Sequence, residues 1–510
     1  MLQAISERRK ENFMPCTTIL VGKEASYDGS TIIARNDDAG SGGHFTEKKF
    51  AVLKPEEVGR TYRSVLSHAE IPLPDDAMRC TIMPNAVPGE GIWAACGVNA
   101  ANVAMTATET ITSNPRVQGA DPLVVYVPAA DGREEIPGGI GEEDLVYLVL
   151  PFIHSAREGV ERLGSLLEQY GTYEMNGIAF SDEDEIWWLE TIGGHHWIAR
   201  RVPDDAYVVM PNQFGIDFFD LEDAFADQKN HICSRDLREF IKENNLDLSQ
   251  NSVDYFDARA AFGSHDDADH VYNTPRAWYM ERYLNPHTHK WDGDDAEFTP
   301  VSDNLPWCLV PEKLITPEDI KYLLSSHYQG TPYDPYRTHG DLSMRGMYRP
   351  IGINRNSFLG MMQLRPDRPA HSMALEWVAF ASNAFNVMPP FYANVSRVPD
   401  YLANTGETVS TDSFYWASRL IAAMADASYG SSVFHTERYE LSVQSKSHAI
   451  INRYDKLLSE ETDEVHAEAL REQANEELAA MLRKETDAVL GKVLFELTSG
   501  MKNAFSRADA

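Results

Sequence analysis

Cys16-Thr17-Thr18-Ile19-Leu20-Val21-Gly22, then Tyr27-Asp28-Gly29-Ser30, then Thr31-Ile32-Ile33-Ala34-Arg35-Asn36-Asp37-Asp38: the reading of this chain turns on these residues. The first run is β-branched and apolar, the middle four residues carry turn chemistry, and the last run opens β-branched again. The pattern predicts a β-hairpin. With the turn centred near Tyr27 and Asp28, Cys16 lies across from Arg35-Asn36-Asp37-Asp38. A thiol, a guanidinium and carboxylates then meet at one end of a strand pair.

That convergence has a chemical use. An unperturbed thiol titrates at ~8.5, and an adjacent positive charge lowers the value. Arg35 is placed to supply that charge. If the bond between Pro15 and Cys16 is cut, Cys16 gains an α-amino group with a reference pKa of about 8. Near neutral pH that amine can serve as general base for its own thiol, so no separate histidine is required. A carboxylate such as Asp38 can hold the amine and pair with Arg35. The ordinary alternative is a cysteine near the start of a strand acting as a small buried hydrophobe.

Beyond the hairpin, short runs at residues 91–96, 103–108, 177–180, 185–190, 197–202 and 206–210 are separated by Gly, Asp, Asn or Pro and predict strands. Residues 142–171 place Leu145, Leu148, Ile153, Val160, Leu163, Leu166 and Leu167 at helical spacing, and 220–244 and 252–262 look similar. Residues 266–350 are rich in Pro, Asp, Tyr and His and are expected to be mostly loop. From residue 411 onward the pattern is nearly all helical. Strands followed by helices, without regular alternation, predict one α+β body rather than a Rossmann or TIM plan.

Composition narrows the function classes. Of 510 residues, 43% are hydrophobic, enough for a large core, and the formal net charge is -33. Such a field repels nucleic acid and anionic membrane surfaces, so neither is an expected partner. No stretch approaches the ~18 apolar residues of a membrane span. Residues 1–13 lack the apolar region of a secretory signal, and Met14 can be the true start, so residues 1–15 are read as a removable leader or a mis-assigned start. Cys16, Cys80, Cys96, Cys233 and Cys308 are odd in number and widely spaced, which argues against a disulfide framework and fits a reducing, cytoplasmic setting.

The segment Cys16 to Gly22, with Asp28-Gly29-Ser30 and Ala34-Arg35-Asn36-Asp37-Asp38, resembles the opening of the dipeptidase A family. That family belongs to the N-terminal-nucleophile hydrolases. It is related to secernins and, more distantly, to choloylglycine and penicillin V acylases. The resemblance continues, in order, through Gly97-Val98-Asn99, Ala104-Met105-Thr106-Ala107-Thr108-Glu109 and Met210-Pro211-Asn212-Gln213. It continues further through Tyr272-Asn273-Thr274-Pro275-Arg276, Gly330-Thr331-Pro332-Tyr333-Asp334 and Pro389-Pro390-Phe391-Tyr392-Ala393-Asn394.

What the resemblance implies is specific. The fold expected is the four-layer αββα sandwich, with a catalytic domain over 16–400 and a helical region over 401–510 packed on it. The nucleophile matches Cys16. The acylases' Arg-x-x-Asp pair matches Arg35 and Asp38, their oxyanion asparagine matches Asn212, and a second arginine matches Arg276. The other oxyanion donor or substrate contact is expected near Thr108 and Glu109. The activity implied is hydrolysis of a dipeptide by a cysteine dipeptidase, with no cofactor and no metal, after residues 1–15 are removed. An acylase acting on N-acyl amides would use the same residues, and a secernin-like interaction protein would keep its leader. Taken singly, Asn212 also fits a turn residue and Arg276 a helix start.

Other motifs weigh less. His287-Thr288-His289 with Asp292, Asp294 and Asp295 matches no metal-site spacing and reads as a solvated loop. His195-His196 reads as a turn entering a strand, and Asp182-Glu183-Asp184-Glu185 as a hairpin tip. The glycines near 40–43 and 138–141 complete no phosphate loop. The acidic C-terminal helices can mediate a homo-oligomer or simply cover the core.

Overall fold

The opening hairpin forms in the expected register. Strand Thr17–Val21 runs antiparallel to Thr31–Asp38, with Thr17 opposite Asn36 and Thr18 opposite Arg35. Gly29 takes a left-handed φ of +81° in the connection, which a side chain would strain, and the Asp28 carboxylate accepts from the Ser30 N–H. This computed structural model describes residues 16–40, 45–107, 109–249, 256–264 and 266–503. The expected leader, residues 1–15, and Thr108 lie outside them.

The hairpin sits inside a seven-stranded sheet of order Cys308–Leu309, Tyr207–Met210, Thr17–Val21, Thr31–Asp38, Asn356–Leu364, Ala374–Phe380, Pro390–Tyr392. A second, nine-stranded sheet runs His231–Cys233, Trp197–Arg201, Ile186–Thr191, Asn176–Ser181, Ala104–Thr106, Cys96–Asn99, Cys80–Ile82, Ala51–Leu53, with Glu109–Thr110 also on Asn176–Ser181. Every ladder in both is antiparallel. The result is an α+β chain built on two large antiparallel sheets.

Strand alternation assigns each face of the second sheet to its own core. Ala179 and Trp188 join one apolar cluster with Ile33, Met361 and Val378 of the first sheet. Ile178, Phe180, Trp187 and Leu189 face the other way, against Val160, Leu163 and Leu167 of helix Ala156–Tyr170. The two sheets approach closely at Gly360, where a Cβ would lie 2.5 Å from Cys96 Sγ.

The C-terminal helices Phe414–Ala427, Tyr429–Ser459 and Glu464–Ser499 close the first sheet. Asn475 caps the edge strand as a further strand would. Its Oδ1 accepts from the Tyr392 N–H at 2.8 Å and its Nδ2 donates to the Tyr392 carbonyl at 2.9 Å. Among the described residues no helix is long and apolar enough to cross a membrane.

Several expected elements change form, each for a local reason. The helix expected over 142–171 is interrupted around Pro151 and resolves into Leu145–Val149, a 3-10 turn and Ala156–Tyr170 with Ser155 as N-cap. The span 220–244 holds short helices either side of strand His231–Cys233. The helix expected over 252–262 is Ala258–Phe262, started by Asp257 as N-cap; residues 252–255 lie outside the described residues. The strand expected at 91–96 begins only at Cys96. Within the expected loop 266–350, helix Thr274–Leu284 starts with Pro275 in its first turn, and Pro317–Leu324 has a Thr316–Asp319 capping box.

Candidate active site

Cys16 lies at the start of the first strand, completely buried. Arg35 Nη2 donates to its Sγ at 2.8 Å. The same guanidinium reaches Asp37 Oδ1 at 3.3 Å, Glu142 Oε1 at 2.5 Å and the Ala95 carbonyl at 3.2 Å. Arg35 and Asp37 are two residues apart on one strand and so share a face. Asp37 also pairs with Lys48 at 3.2 Å, which is held by the Trp93 carbonyl. A fixed cation therefore sits against the thiol, cradled by buried carboxylates that keep it in place.

Asp38 does not pair with Arg35 as expected. It points to the opposite side of the strand, where its carboxylate binds Arg349 Nη2 and Asn356 Nδ2. Alternation along the strand is the reason: Arg35 and Asp37 face one way, Asn36 and Asp38 the other. Burial raises the Asp38 pKa, against the pull of Arg349, Arg355 and Arg276.

Asn212 and Arg276 are brought to the same strand end. Met210 pairs with Thr18, so the chain delivers Asn212 just beyond Cys16's neighbour. Arg276, in helix Thr274–Leu284, is fully buried. Its Nη1 donates to the Cys16 carbonyl oxygen and, at 2.7 Å, to Thr17 Oγ1; its Nη2 donates to Asn212 Oδ1 at 2.7 Å and to Asn273 Oδ1 at 2.6 Å. Asn273 Nδ2 in turn donates to the Asn212 carbonyl at 3.0 Å. The Tyr272 ring lies 5.4 Å from the Arg276 guanidinium carbon and 5.0 Å from that of Arg349. Burial, and then the Arg349 charge, lower the Arg276 pKa to about 10. Among the described residues, the Asn212 side-chain Nδ2 is left buried without a hydrogen-bond partner. A buried unpaired N–H donor is costly unless a ligand oxygen uses it.

Glu109 closes the site from the second sheet. Thr18 Oγ1 donates to Glu109 Oε2 at 2.8 Å, and among the described residues Glu109 Oε1 is buried without a hydrogen-bond partner. Burial raises its pKa to about 8, with Arg276, Arg35 and the Thr18 hydroxyl pulling the other way. The carboxyl can donate to an oxyanion only while protonated.

The expected lowering of the thiol pKa is reversed in this arrangement. Burial raises the Cys16 thiol well above its ordinary value; Arg35 pulls it down, while Glu109, Glu142 and Asp37 push it up. The carboxylates that anchor Arg35 also offset its effect on the sulfur.

Cys16, Asp37 and Glu142 bring three metal-type ligand atoms together. The Arg35 guanidinium nitrogen lies within 2.5–3.3 Å of all three, so the cationic position of this group is taken by protein. The other histidine motifs have polar partners. His195 and His196 bind Asp121 through backbone N–H groups and through Nδ1 at 3.0 and 2.7 Å. His287 and His289 contact Glu312 and Glu297. Asp182 accepts from the Asp184 and Glu185 N–H groups at its hairpin tip.

Sequence reasoning missed Asp37's role, Glu142, Asn273, Arg349 and Asn356. Glu142 carried a signal: it belongs to the acidic run Glu142-Glu143-Asp144 set between Gly141 and the apolar residues 145–153. All three side chains are buried. Arg349 and Asn356 carried none, since only the long-range sheet pairing of Asn356 with Asp38 brings them in.

The family model described as "Peptidase family C69" matches residues 15–442. A protein named "Dipeptidase" from Bifidobacterium longum is 53% identical over 533 residues, covering 97% of this chain and all of that protein. "Probable dipeptidase A" of Streptococcus pyogenes serotype M3 is 51% identical, covering 97% of this chain and all of its own length. "Dipeptidase A" of Lactobacillus helveticus is 42% identical, covering 94% of this chain and 96% of its own.

Proposed function

The chain belongs to peptidase family C69, a family of peptide-bond hydrolases, and from that premise we propose that it is a cysteine dipeptidase whose nucleophile is Cys16. The observation that carries the reading is Arg35 Nη2 at 2.8 Å from Cys16 Sγ, in a match that begins one residue before this cysteine. The names of the relatives support a dipeptide as substrate.

Removal of residues 1–15, by self-cleavage, frees the Cys16 α-amino group. That amine takes the thiol proton as the sulfur attacks the carbonyl carbon of the dipeptide. Asn212 Nδ2 donates to the oxygen that becomes negative. Collapse breaks the C–N bond, and the proton passes from the α-ammonium to the leaving amine. Water, deprotonated by the same amine, then cleaves the thioester and regenerates the thiol. Arg35 favours the thiolate, Asp38 holds the amine, and Arg276 orients both Asn212 and the Cys16 backbone. No step in this scheme uses a metal or a cofactor.

The same reading assigns the fold to the αββα sandwich of N-terminal-nucleophile hydrolases. The core shared between the sheets and the helices against them favour it. It divides the chain into a catalytic domain over 16–400 and a helical region over 401–510. Five free thiols suit a reducing compartment such as the cytoplasm.

The test combines mass with activity. Purified protein should have Cys16 as its first residue and should cleave a panel of dipeptides faster than N-acyl amides. Cys16→Ala should lose dipeptide hydrolysis and keep residues 1–15 when produced from the full sequence. A Cys16→Ala protein with full activity overturns the mechanism.

A further inference from the structure

Among the described residues, two of the site's polar atoms that are buried without a hydrogen-bond partner are chemically opposite. Asn212 Nδ2 is a donor; Glu109 Oε1 is an acceptor when ionised. Both are referenced to Thr18, whose backbone pairs with Met210, two residues before Asn212, and whose hydroxyl binds Glu109 Oε2 at 2.8 Å. Cys16 and Thr18 are alternate residues of one strand, so Glu109 stands over the face that the nucleophile's strand end presents.

Burial alone keeps this carboxyl protonated near neutral pH, but a cation placed against its unbonded oxygen favours the ionised form and completes a buried ion pair. The natural completion is a cation supplied by the ligand. The nearby protein cations are committed elsewhere: Arg35 to Cys16, Asp37 and Glu142, and Arg276 to Cys16, Thr17, Asn212 and Asn273.

A dipeptide carries such a cation at a fixed place. Its α-ammonium nitrogen is two bonds from the scissile carbonyl carbon, so anchoring the nitrogen also fixes the carbonyl. An N-acylated peptide puts an uncharged amide there instead, and a longer peptide cut at an interior bond does the same. Building on the dipeptidase reading, we propose that Glu109 is the residue that recognises the free α-ammonium group of the substrate, and that this contact confines the enzyme to bonds next to a free N-terminus. Glu109 Oε1 accepts from the ammonium while Asn212 Nδ2 receives the carbonyl oxygen of the same residue. Thr18 is a positioning residue that holds the carboxylate through its other oxygen.

The test compares three substrates on the processed enzyme: a free dipeptide, its N-acetyl derivative, and the des-amino analogue in which hydrogen replaces the ammonium. The wild type should favour the free dipeptide over both analogues by roughly 10²-fold or more in kcat/KM, because a site built for a buried polar contact rejects a ligand lacking it. Glu109→Gln should lose roughly 10²-fold on the free dipeptide, mainly through KM, and much less on the des-amino analogue, so that the preference collapses. Wild-type enzyme that cleaves free and des-amino substrates equally well overturns the inference and leaves the dipeptidase reading standing. So does Glu109→Gln that loses the same factor on both. A wild type that cleaves no dipeptide overturns the dipeptidase reading, and the inference with it. The wild-type comparison needs no variant to fold.

Discussion

Arg276 Nη2 donates to Asn212 Oδ1 at 2.7 Å, and this bond decides which end of the Asn212 amide is left for a ligand. With its oxygen held by a guanidinium, the side chain must offer its nitrogen. That nitrogen has no hydrogen-bond partner among the described residues. In the proposed mechanism the oxyanion donor is thus preset by a residue 64 positions away, before any substrate arrives.

The first prediction follows from that setting. Asn212→Ala should lower kcat by ~10²–10³-fold with little change in KM, as loss of one preorganised donor does. Arg276→Lys should also lower kcat, because one ammonium cannot span the Cys16 carbonyl, Thr17, Asn212 and Asn273 together. Steady-state kinetics on one dipeptide checks both.

The second concerns the thiol. Arg35 is the group that offsets burial at Cys16. Arg35→Lys should keep a charge but lose the second nitrogen, Nη1, which the Ala95 carbonyl holds and which fixes Nη2 against Asp37, Glu142 and the sulfur. The acidic limb of the kcat/KM profile should then move to higher pH, and activity at neutral pH should fall at least tenfold. Arg35→Ala should also destabilise the fold, by about 3–5 kcal/mol, since Asp37 and Glu142 lose their shared cation. An unchanged pH profile in Arg35→Lys would show that the guanidinium does not tune the sulfur.

The hairpin was legible because its signals are local: β-branched runs, a turn around Gly29, and a register that follows from them. Two strands of the same sheet were not. Asn356–Leu364 reads Asn-Ser-Phe-Leu-Gly-Met-Met-Gln-Leu, with no β-branched residue, and every position is buried. Ala374–Phe380 contains Ala, Leu and Glu, which favour helix in isolation. Burial on both faces erases the alternation that marks a strand. The site divides the same way. Cys16 and Arg35 share a hairpin and were placed together, while the Arg35–Asp38 pairing failed because only strand alternation and distant Arg349 decide where Asp38 points. Asn212, Arg276 and Glu109 came from resemblance, since nothing local in their segments ties them to Cys16.

The third prediction is a pH dependence of stability. Glu190 is buried in the second sheet, where it accepts from Trp188 Nε1, the Gly215 N–H and the Ile216 N–H. Burial raises its pKa from 4.5 to about 7, against those hydrogen bonds and the Arg259 charge. Asp144 is raised to about 7 and Glu174 to about 8, again chiefly by burial. A folded pKa above the unfolded one means that the folded state keeps protons the unfolded chain has released. This favourable contribution is full below the unfolded value and is lost as pH rises through the folded one. Stability should therefore fall between about pH 5 and 8. Asp121 works oppositely: the His196 and His195 bonds outweigh its burial and hold its pKa down, so its contribution is lost only in strong acid. Glu190→Gln should flatten the slope, by on the order of 3 kcal/mol across the window. Denaturant midpoints measured at several pH values check it, and a slope unchanged by Glu190→Gln would contradict it.

The last prediction concerns the helical C-terminal part. Tyr392 is the point where helices Tyr429–Ser459 and Glu464–Ser499 both grip the edge strand. Asn475 satisfies its N–H and carbonyl, and Asp455 accepts from its hydroxyl at 2.7 Å while binding Arg365. Asn475→Ala leaves a buried N–H and a buried carbonyl without these partners, at a cost of about 1–3 kcal/mol for each group left unpaired. Asn475→Asp can still accept from the N–H and can donate to the carbonyl only while protonated, so it should approach wild type at low pH and fall toward Asn475→Ala as the carboxyl ionises. If the helices were a loosely attached unit, neither change would move the unfolding of the sheets. Because residues from sheets and helices share one apolar cluster, a single cooperative transition should shift instead, with near-ultraviolet and far-ultraviolet circular dichroism moving together. Two separated transitions in Asn475→Ala would show that the helices unfold on their own.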